Sequence, residues 1–87
     1  MRGAGDYLSQ KRDTVNYTLR DRNKIVYMGI TNDLDRRIAE HERDGKRFTN
    51  YSSSTKRTQD SALKHETEDL ARYKRNQGRF PKYNDKL

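Results

Sequence analysis

Glu66 places a carboxylate inside the apolar stripe of a predicted helix. On a wheel of about 100° per residue, Glu66 lies about 40° from Ala62, between Ala62 and Leu70. Burying a lone carboxylate is costly, so such a residue is expected to be paired, to bind a metal ion or to face a cleft. A rim position at a loosely covered end of the core is the alternative, and for a single residue it is the commoner case.

Arg37 and His41 stand one turn apart on the core-facing side of an earlier predicted helix, beside Leu34 and Ile38. An arginine and a histidine at this spacing gain nothing from each other, so an anionic third group would explain the pair. A histidine satisfied at the core edge, next to a solvated arginine, is the alternative.

Tyr17 and Tyr27 fall at core-side or central positions of two adjacent predicted strands, where each phenolic hydroxyl needs a partner. Two phenols, an arginine, a histidine and a carboxylate in one cleft can hold a phosphate, orient a water and bind a divalent cation. These residue types favour phosphodiester hydrolysis if the substrate is a nucleic acid.

The composition points to an anionic partner and excludes several classes of protein. The 87 residues carry 20 Lys plus Arg against 13 Asp plus Glu, and the net charge of +7 favours nucleic acid. No apolar run approaches the ~20 residues of a membrane span, and Met1–Thr14 lacks the apolar centre of a secretory signal. Because the chain has no cysteine, disulfides and thiolate sites are excluded as well. We expect a cytoplasmic protein with no membrane partner.

Only 29% of the residues are hydrophobic, a content close to that of intrinsically disordered proteins. The positions of these residues nevertheless predict a small folded domain. Val15–Leu19 alternates apolar and polar residues, and Ile25–Ile30 is nearly continuously apolar, so the two segments read as a hairpin around the polar link Arg20–Lys24. After this hairpin we expect a helix from about Asp33 to Asp44, with Asn32 as N-cap and Gly45 as its stop. A strand within Lys46–Tyr51 is indicated only by Phe48, and Ser52–Arg57 is expected to be a loop. A second helix is predicted over Gln59–Gln77, with Thr58 as N-cap and Gly78 at its end. The apolar stripe of this last helix is predicted to comprise Ala62, Leu63, Leu70 and Tyr73.

These elements predict an α+β fold of the order ββαβα, with a three-stranded antiparallel sheet flanked by helices. We expect a single domain over residues 14–87, preceded by a flexible N-terminal segment over residues 1–13.

Several short motifs in this order make the sequence resemble the GIY-YIG nuclease family. The matching elements are Tyr17 of the first motif, Tyr27-Met28-Gly29 for YIG, Arg37 eight residues after that glycine, His41 one turn later, Glu66 four residues after Ala62, and the closing Pro81-Lys82-Tyr83-Asn84. The main departure is at Val15 and Asn16, where the family has Gly and Ile. Val15 narrows the space that the glycine leaves, and Asn16 is expected to point to the sheet face opposite Tyr17.

The resemblance implies the nuclease fold, with Gly29 as a structural residue of the motif, and a one-metal hydrolysis of DNA. Glu66 would hold one Mg²⁺ or Mn²⁺ together with the scissile phosphate. The roles implied for the other site residues are proton removal from the attacking water by Tyr17, stabilisation of phosphate charge by Arg37, orientation or proton relay by Tyr27 and His41, and anchoring of the tail by a hydrogen bond of Asn84 within the site.

Seven basic residues around the expected cleft are candidates for binding DNA phosphates: Lys46, Arg47, Lys56, Arg57, Arg75, Arg79 and Lys82. Nothing in the sequence resembles a recognition helix, so specificity would come from structured or branched DNA, from a homodimer or from a protein partner. The alternatives are a nucleic-acid-binding module that kept the fold without turnover and a small domain that binds an acidic protein.

Overall fold

The computed structural model of the chain describes residues 11–84, which begin with the predicted hairpin. Strand β1 (Arg12–Asp21) pairs antiparallel with β2 (Lys24–Thr31), and both strands extend beyond their predicted bounds. The polar link therefore shortens to Arg22 and Asn23, which turn the chain with φ angles of 54° and 72°. This is the backbone of a two-residue hairpin turn, which follows the right-handed twist of the strands.

Helix α1 (Leu34–Arg43) lies within the predicted range, but its N-cap is Asp33 rather than the expected Asn32. The Asp33 carboxylate accepts a hydrogen bond from the Arg36 backbone N–H at 3.2 Å. Because the Thr31 hydroxyl accepts from the backbone N–H of Asp33, the chain turns one residue later than the composition suggested. Gly45 follows the helix with a positive φ of 81°, as expected for its stop.

The third strand lies later in the chain than predicted and shares only Asn50 and Tyr51 with the expected range. Strand β3 covers Asn50–Ser53, and it runs beside β1 with Leu19 opposite Tyr51. Phe48 precedes this strand and packs against the core instead. A fourth short strand, β4 (Arg57–Thr58), pairs with the start of β1, so part of the predicted Ser52–Arg57 loop belongs to the sheet.

Helix α2 (Gln59–Gln77) has the predicted bounds and caps. The Thr58 hydroxyl accepts from the Ser61 backbone N–H at 3.2 Å, and Gly78 ends the helix in the left-handed conformation. Ala62 is fully buried, and Leu70 and Tyr73 are half-buried. Leu63 is 44% exposed, so it does not belong to the predicted stripe.

The two helices approach β1 from opposite faces. Tyr17 reaches His41 of α1, while the next residue towards the N-terminus, Asn16, donates from its side chain to the Ala62 carbonyl of α2 at 2.9 Å. Because neighbouring strand residues point to opposite faces, the predicted orientation of Asn16 is confirmed. The α+β architecture is confirmed too, with the sheet order β2-β1-β3 and β4 beside the start of β1.

The core is as small as the composition implies. Its fully buried cluster comprises Tyr17, Leu19, Val26 and Ile38, and partly buried side chains of Tyr27, Leu34, Phe48 and Tyr83 pack around it. None of the helices within residues 11–84 is long and apolar enough to cross a membrane. Arg12 and Asp13 of the expected flexible segment lie in β1, and residues 1–10, like 85–87, fall outside the described part of the chain.

The tail covers the free edge of β2. The Asn84 side chain accepts from the Met28 backbone N–H and donates to the Met28 carbonyl, both at 2.9 Å, and the Tyr83 N–H donates to the Val26 carbonyl at 2.8 Å. One buried amide thus replaces a strand neighbour and satisfies both backbone groups of Met28.

Replacing Asn84 by alanine should destabilise the fold, because it leaves two buried backbone groups of Met28 without partners. We expect a loss of about 2 kcal/mol in the free energy of unfolding, measured by urea denaturation. Asn76→Ala, at an exposed residue of α2, is the control and should change it by less than about 0.5 kcal/mol. Equal effects of the two substitutions would contradict an anchoring role for Asn84.

Candidate active site

The hairpin register brings the two predicted tyrosines onto one face of the sheet. Tyr17 lies opposite Gly29, and Tyr27 lies opposite Leu19, so both phenols stand on the face that α1 covers. Their ring centroids are 6.0 Å apart. Strand pairing therefore places the two rings next to each other.

His41 completes a buried cluster with these tyrosines. The Tyr17 hydroxyl lies 2.6 Å from His41 Nε2, and the imidazole is 4.8 Å from the Tyr27 ring between centroids. The histidine is fully buried, and its Nδ1 has no hydrogen-bond partner among the described residues. Burial, and then the charges of Lys46 and Arg37, lower the pKa of His41 to about 4, so the ring is neutral at pH 7.

Arg37 brings a permanent positive charge to the open side of the cluster. Its Nη1 donates to Glu40 at 2.9 Å, and its side chain is 36% exposed. Burial raises the pKa of Tyr17 well above its ordinary value, and the repulsion expected from an ionised Tyr27 adds to this, whereas the neighbouring Arg37 opposes both effects. The Tyr17 phenol therefore keeps its proton at neutral pH unless that proton has an acceptor.

Gly29 provides the space in which the two phenols meet. A Cβ at this residue would lie 2.7 Å from a Tyr27 ring carbon and 2.9 Å from the Tyr17 hydroxyl oxygen. Both separations are below van der Waals contact, so a side chain here would displace a ring. The structural role expected for Gly29 therefore has a steric basis in the cluster itself.

Glu66 lies in the middle of α2, one turn after Ala62, whose carbonyl accepts from the Asn16 side chain. Its side chain is half-buried, and within residues 11–84 it has no hydrogen-bond or ion-pair partner. Burial raises the pKa of its carboxyl group. The expected convergence of all five side chains is thus seen for Tyr17, Tyr27, Arg37 and His41, whereas no described contact joins Glu66 to them.

The described residues offer no ready-made multidentate metal centre, since no group of three or more His, Asp or Glu side chains could share an ion. Glu66 still fits a single hard cation, because its carboxylate is partly desolvated and no cationic side chain of residues 11–84 pairs with it. Oxygens of a phosphate and of water would have to supply the remaining ligands.

Asn84 is placed by its hydrogen bonds to Met28, between Tyr27 and Gly29, rather than by a hydrogen bond to the cluster. Its contribution within the described contacts is to fix the backbone of the YIG-like motif. The tail-anchoring part of its expected role is therefore the part that these contacts supply.

The predicted basic residues divide into different environments. Lys46 Nζ lies 5.8 Å from the Tyr27 ring centroid and 5.9 Å from that of Tyr83, so this lysine borders the cluster. Arg57 donates to the Asn16 side-chain oxygen and so connects β4 to β1. The remaining candidates are exposed: Arg47, Lys56, Arg75, Arg79 and Lys82.

Sequence reasoning missed two contacts that organise the site. Glu40 orients Arg37, and its i,i+3 spacing was a signal available in the sequence. Asn16 bonds to both Arg57 and the Ala62 carbonyl, but nothing in the local pattern indicates partners so distant along the chain.

Comparison with known protein families identifies the family of this chain. The family model of the GIY-YIG catalytic domain matches residues 15–80, which is well over half of the chain. The match includes Tyr17, Tyr27, Arg37, His41 and Glu66, and it ends before Asn84. No curated protein and no solved structure gives a significant match.

Adding a methyl group at Gly29 should push one tyrosine ring out of the cluster. We expect Gly29→Ala to lower the free energy of unfolding by about 1–3 kcal/mol, measured by urea denaturation. A double-mutant cycle with Tyr27→Ala, which removes the closest ring carbon, should recover part of this loss. Strictly additive effects would show that the methyl group does not meet the Tyr27 ring.

Acid should destabilise the fold through His41. The unfolded chain takes up a proton below about pH 6.5, whereas the folded histidine does so only near pH 4. Stability is therefore unaffected by this group above pH 6.5, falls as the pH drops from there to about 4, and changes no further below it. The total loss should be about 3 kcal/mol.

Urea unfolding between pH 4 and pH 7 would measure this dependence. His41→Gln should remove the corresponding slope, while His65→Gln, at the second histidine of the chain, should retain it. The buried neutral state of His41 would be refuted by equal slopes in wild type and His41→Gln.

Proposed function

Because the chain belongs to the GIY-YIG nuclease family, we propose that it is a divalent-metal-dependent endonuclease that hydrolyses phosphodiester bonds in DNA. The observation that carries the proposal is the buried hydrogen bond between Tyr17 and His41, with a partly exposed arginine beside it. A neutral base, a phenol and a guanidinium in contact supply the groups that activate a water against a phosphate.

In the proposed reaction Tyr17 acts as a proton carrier. In the tautomer whose Nε2 carries no proton, the Tyr17 hydroxyl donates to His41 Nε2. The phenol proton then moves to the imidazole while the phenolic oxygen accepts a proton from the attacking water. The neutral imidazole, kept so by burial, is free to accept. An ordinary tyrosine is a poor base at neutral pH, and a histidine of pKa about 4 is a weak one. The relay therefore requires the negative charge of a bound phosphate beside Arg37, which raises the pKa of the neighbouring imidazole.

Arg37 stabilises the negative charge that develops on the phosphate. Glu40 holds one edge of the guanidinium, which leaves other N–H groups to donate to phosphate oxygens. Tyr27, on the same face, orients the phosphate or the water through its hydroxyl.

Glu66 is the residue proposed to hold Mg²⁺ or Mn²⁺. When bound, the cation would polarise the phosphate and stabilise the leaving oxygen. A single carboxylate supports a one-metal mechanism. Since no described contact links Glu66 to the tyrosine cluster, the substrate phosphate is the group that would connect them.

DNA would bind through its phosphates to the exposed basic residues, without base-specific readout. Arg57 contributes less than expected to this surface, because it already bonds to Asn16. Structured or branched DNA, a homodimer or a protein partner remains the proposed source of specificity, and the cytoplasm the proposed location.

A nucleic-acid-binding module without turnover is the second candidate. The observation that favours it is the departure from the family motif at Val15 and Asn16. The Asn16 side chain forms hydrogen bonds with the Ala62 carbonyl of α2 and with Arg57, which the family's usual isoleucine could not form. This candidate predicts binding that weakens with salt and no cleavage with either cation.

A cleavage assay separates the two functions. Labelled branched, nicked and duplex DNA are incubated with Mg²⁺ or Mn²⁺, and product is quantified for wild type and variants. We expect Arg37→Ala to lower the rate about 10²–10³-fold, because a donor to the phosphate is lost, and Glu66→Gln to lower it at least as much.

Two neighbours provide matched controls. Glu68→Gln, at an exposed carboxylate of α2, and Arg36→Ala, at the exposed arginine beside Arg37, should each stay within about threefold of the wild-type rate. Cleavage that survives both Arg37→Ala and Glu66→Gln would refute the assigned residues, and a lack of cleavage by wild type on every substrate would favour the binding module.

A further inference from the structure

A cavity of about 440 Å³ lies between the hairpin turn, the end of α2 and the tail, outside the tyrosine–histidine cluster. Four cationic residues, Lys24, Arg47, Arg79 and Lys82, line it together with a single carboxylate, Asp21. None of these cations forms an ion pair with another described residue. The cavity therefore has a net positive lining that suits an anionic ligand.

The walls of the same cavity are aromatic. Tyr73 comes from α2, and Phe80 and Tyr83 come from the tail, and all three are half-buried. Lys82 Nζ lies 5.2 Å from the Tyr83 ring centroid, so charge and ring face already adjoin. Flat rings interleaved with cations are the arrangement that binds a nucleobase and its phosphate together.

The cavity adjoins the candidate active site. Lys46 lies between the ring of Tyr83, which lines the cavity, and the ring of Tyr27, which belongs to the cluster. Val26 lines the cavity, and it is the residue next to Tyr27 on β2. A DNA strand with one nucleotide in the cavity would therefore have its neighbouring phosphates close to the tyrosine–histidine cluster.

We propose that this cavity binds an unpaired nucleotide, so that the preferred substrates are nucleic acids with a single-stranded segment next to the cleaved bond. The proposal rests on the proposed nuclease function for its choice of ligand. A paired base cannot enter, since its faces are covered by stacking and its edge by its partner. The volume is within the range of small-ligand sites.

Binding of oligothymidylate tests the base-binding part directly. Fluorescence anisotropy in EDTA, which prevents cleavage, compares a 12-nucleotide thymidine strand with an abasic strand of the same length and charge. Wild type should bind the thymidine strand about tenfold more tightly, and Tyr73→Leu with Phe80→Leu should reduce this preference to about twofold or less.

Matched variants separate the cavity from the general surface. Tyr51→Leu removes an exposed ring from β3, outside the cavity, and should leave the preference unchanged. The double variant Arg79→Gln/Lys82→Gln should weaken binding of both DNA strands. The control double variant Arg43→Gln/Lys64→Gln removes the same charge outside the cavity and should weaken binding less. Circular dichroism and urea unfolding verify that each variant is folded.

The outcomes distinguish this proposal from the nuclease assignment. Equal affinity of wild type for the two strands would overturn the base-binding site even if DNA is cleaved. A thymidine preference that depends on Tyr73 and Phe80 would support it even if cleavage never occurs. If the protein binds polyglutamate but neither DNA strand, the base-binding proposal would be overturned in favour of an acidic protein partner.

Discussion

The buried contact between the Tyr17 hydroxyl and His41 Nε2 is the interaction on which the rest of the structure depends. It joins the central strand to α1 at the point where both are fully buried. In a larger protein such a pair would be one polar exception in an apolar core. Here Tyr17 is itself one of the four residues of the buried cluster, so the stability of the fold and the chemistry proposed for the site use the same atoms.

In this chain, hydrogen bonds of polar side chains connect secondary-structure elements that apolar packing connects in proteins with more hydrophobic residues. Asn84 fixes the tail to β2, and Asn16 connects β1 with both Arg57 and α2. Each bond joins residues more than 40 positions apart, and its loss would leave partly or fully buried polar groups unpaired in the folded state. A chain with 29% hydrophobic residues can fold in this way because its few buried polar groups are mostly satisfied.

The sequence supports prediction where a periodic pattern or a cap is present and fails where neither exists. The hairpin and α2 follow from apolar periodicity and from the Thr58 and Gly78 caps, and the wheel places His41 in the core and Arg37 at its edge. Strand β3 was misplaced because all four of its residues are exposed, which leaves no alternation to read. The amides of Asn16 and Asn84 find partners on distant elements, and the spacing of residues cannot encode such contacts.

Glu66 is a half-buried carboxylate in the apolar stripe of α2, in a chain that has few apolar residues. Part of the inner stripe of helix α2 is a carboxylate without a described partner, whereas Leu63 is exposed to solvent. A helix optimised only for packing would reverse these two choices, since burying the leucine is favourable and burying the carboxylate is not. A bound cation removes this penalty, because it replaces the water that the carboxylate lost on folding. If Glu66 holds the proposed cation, the stability lost by placing a carboxylate in this stripe is exchanged for affinity towards the cation and its phosphate.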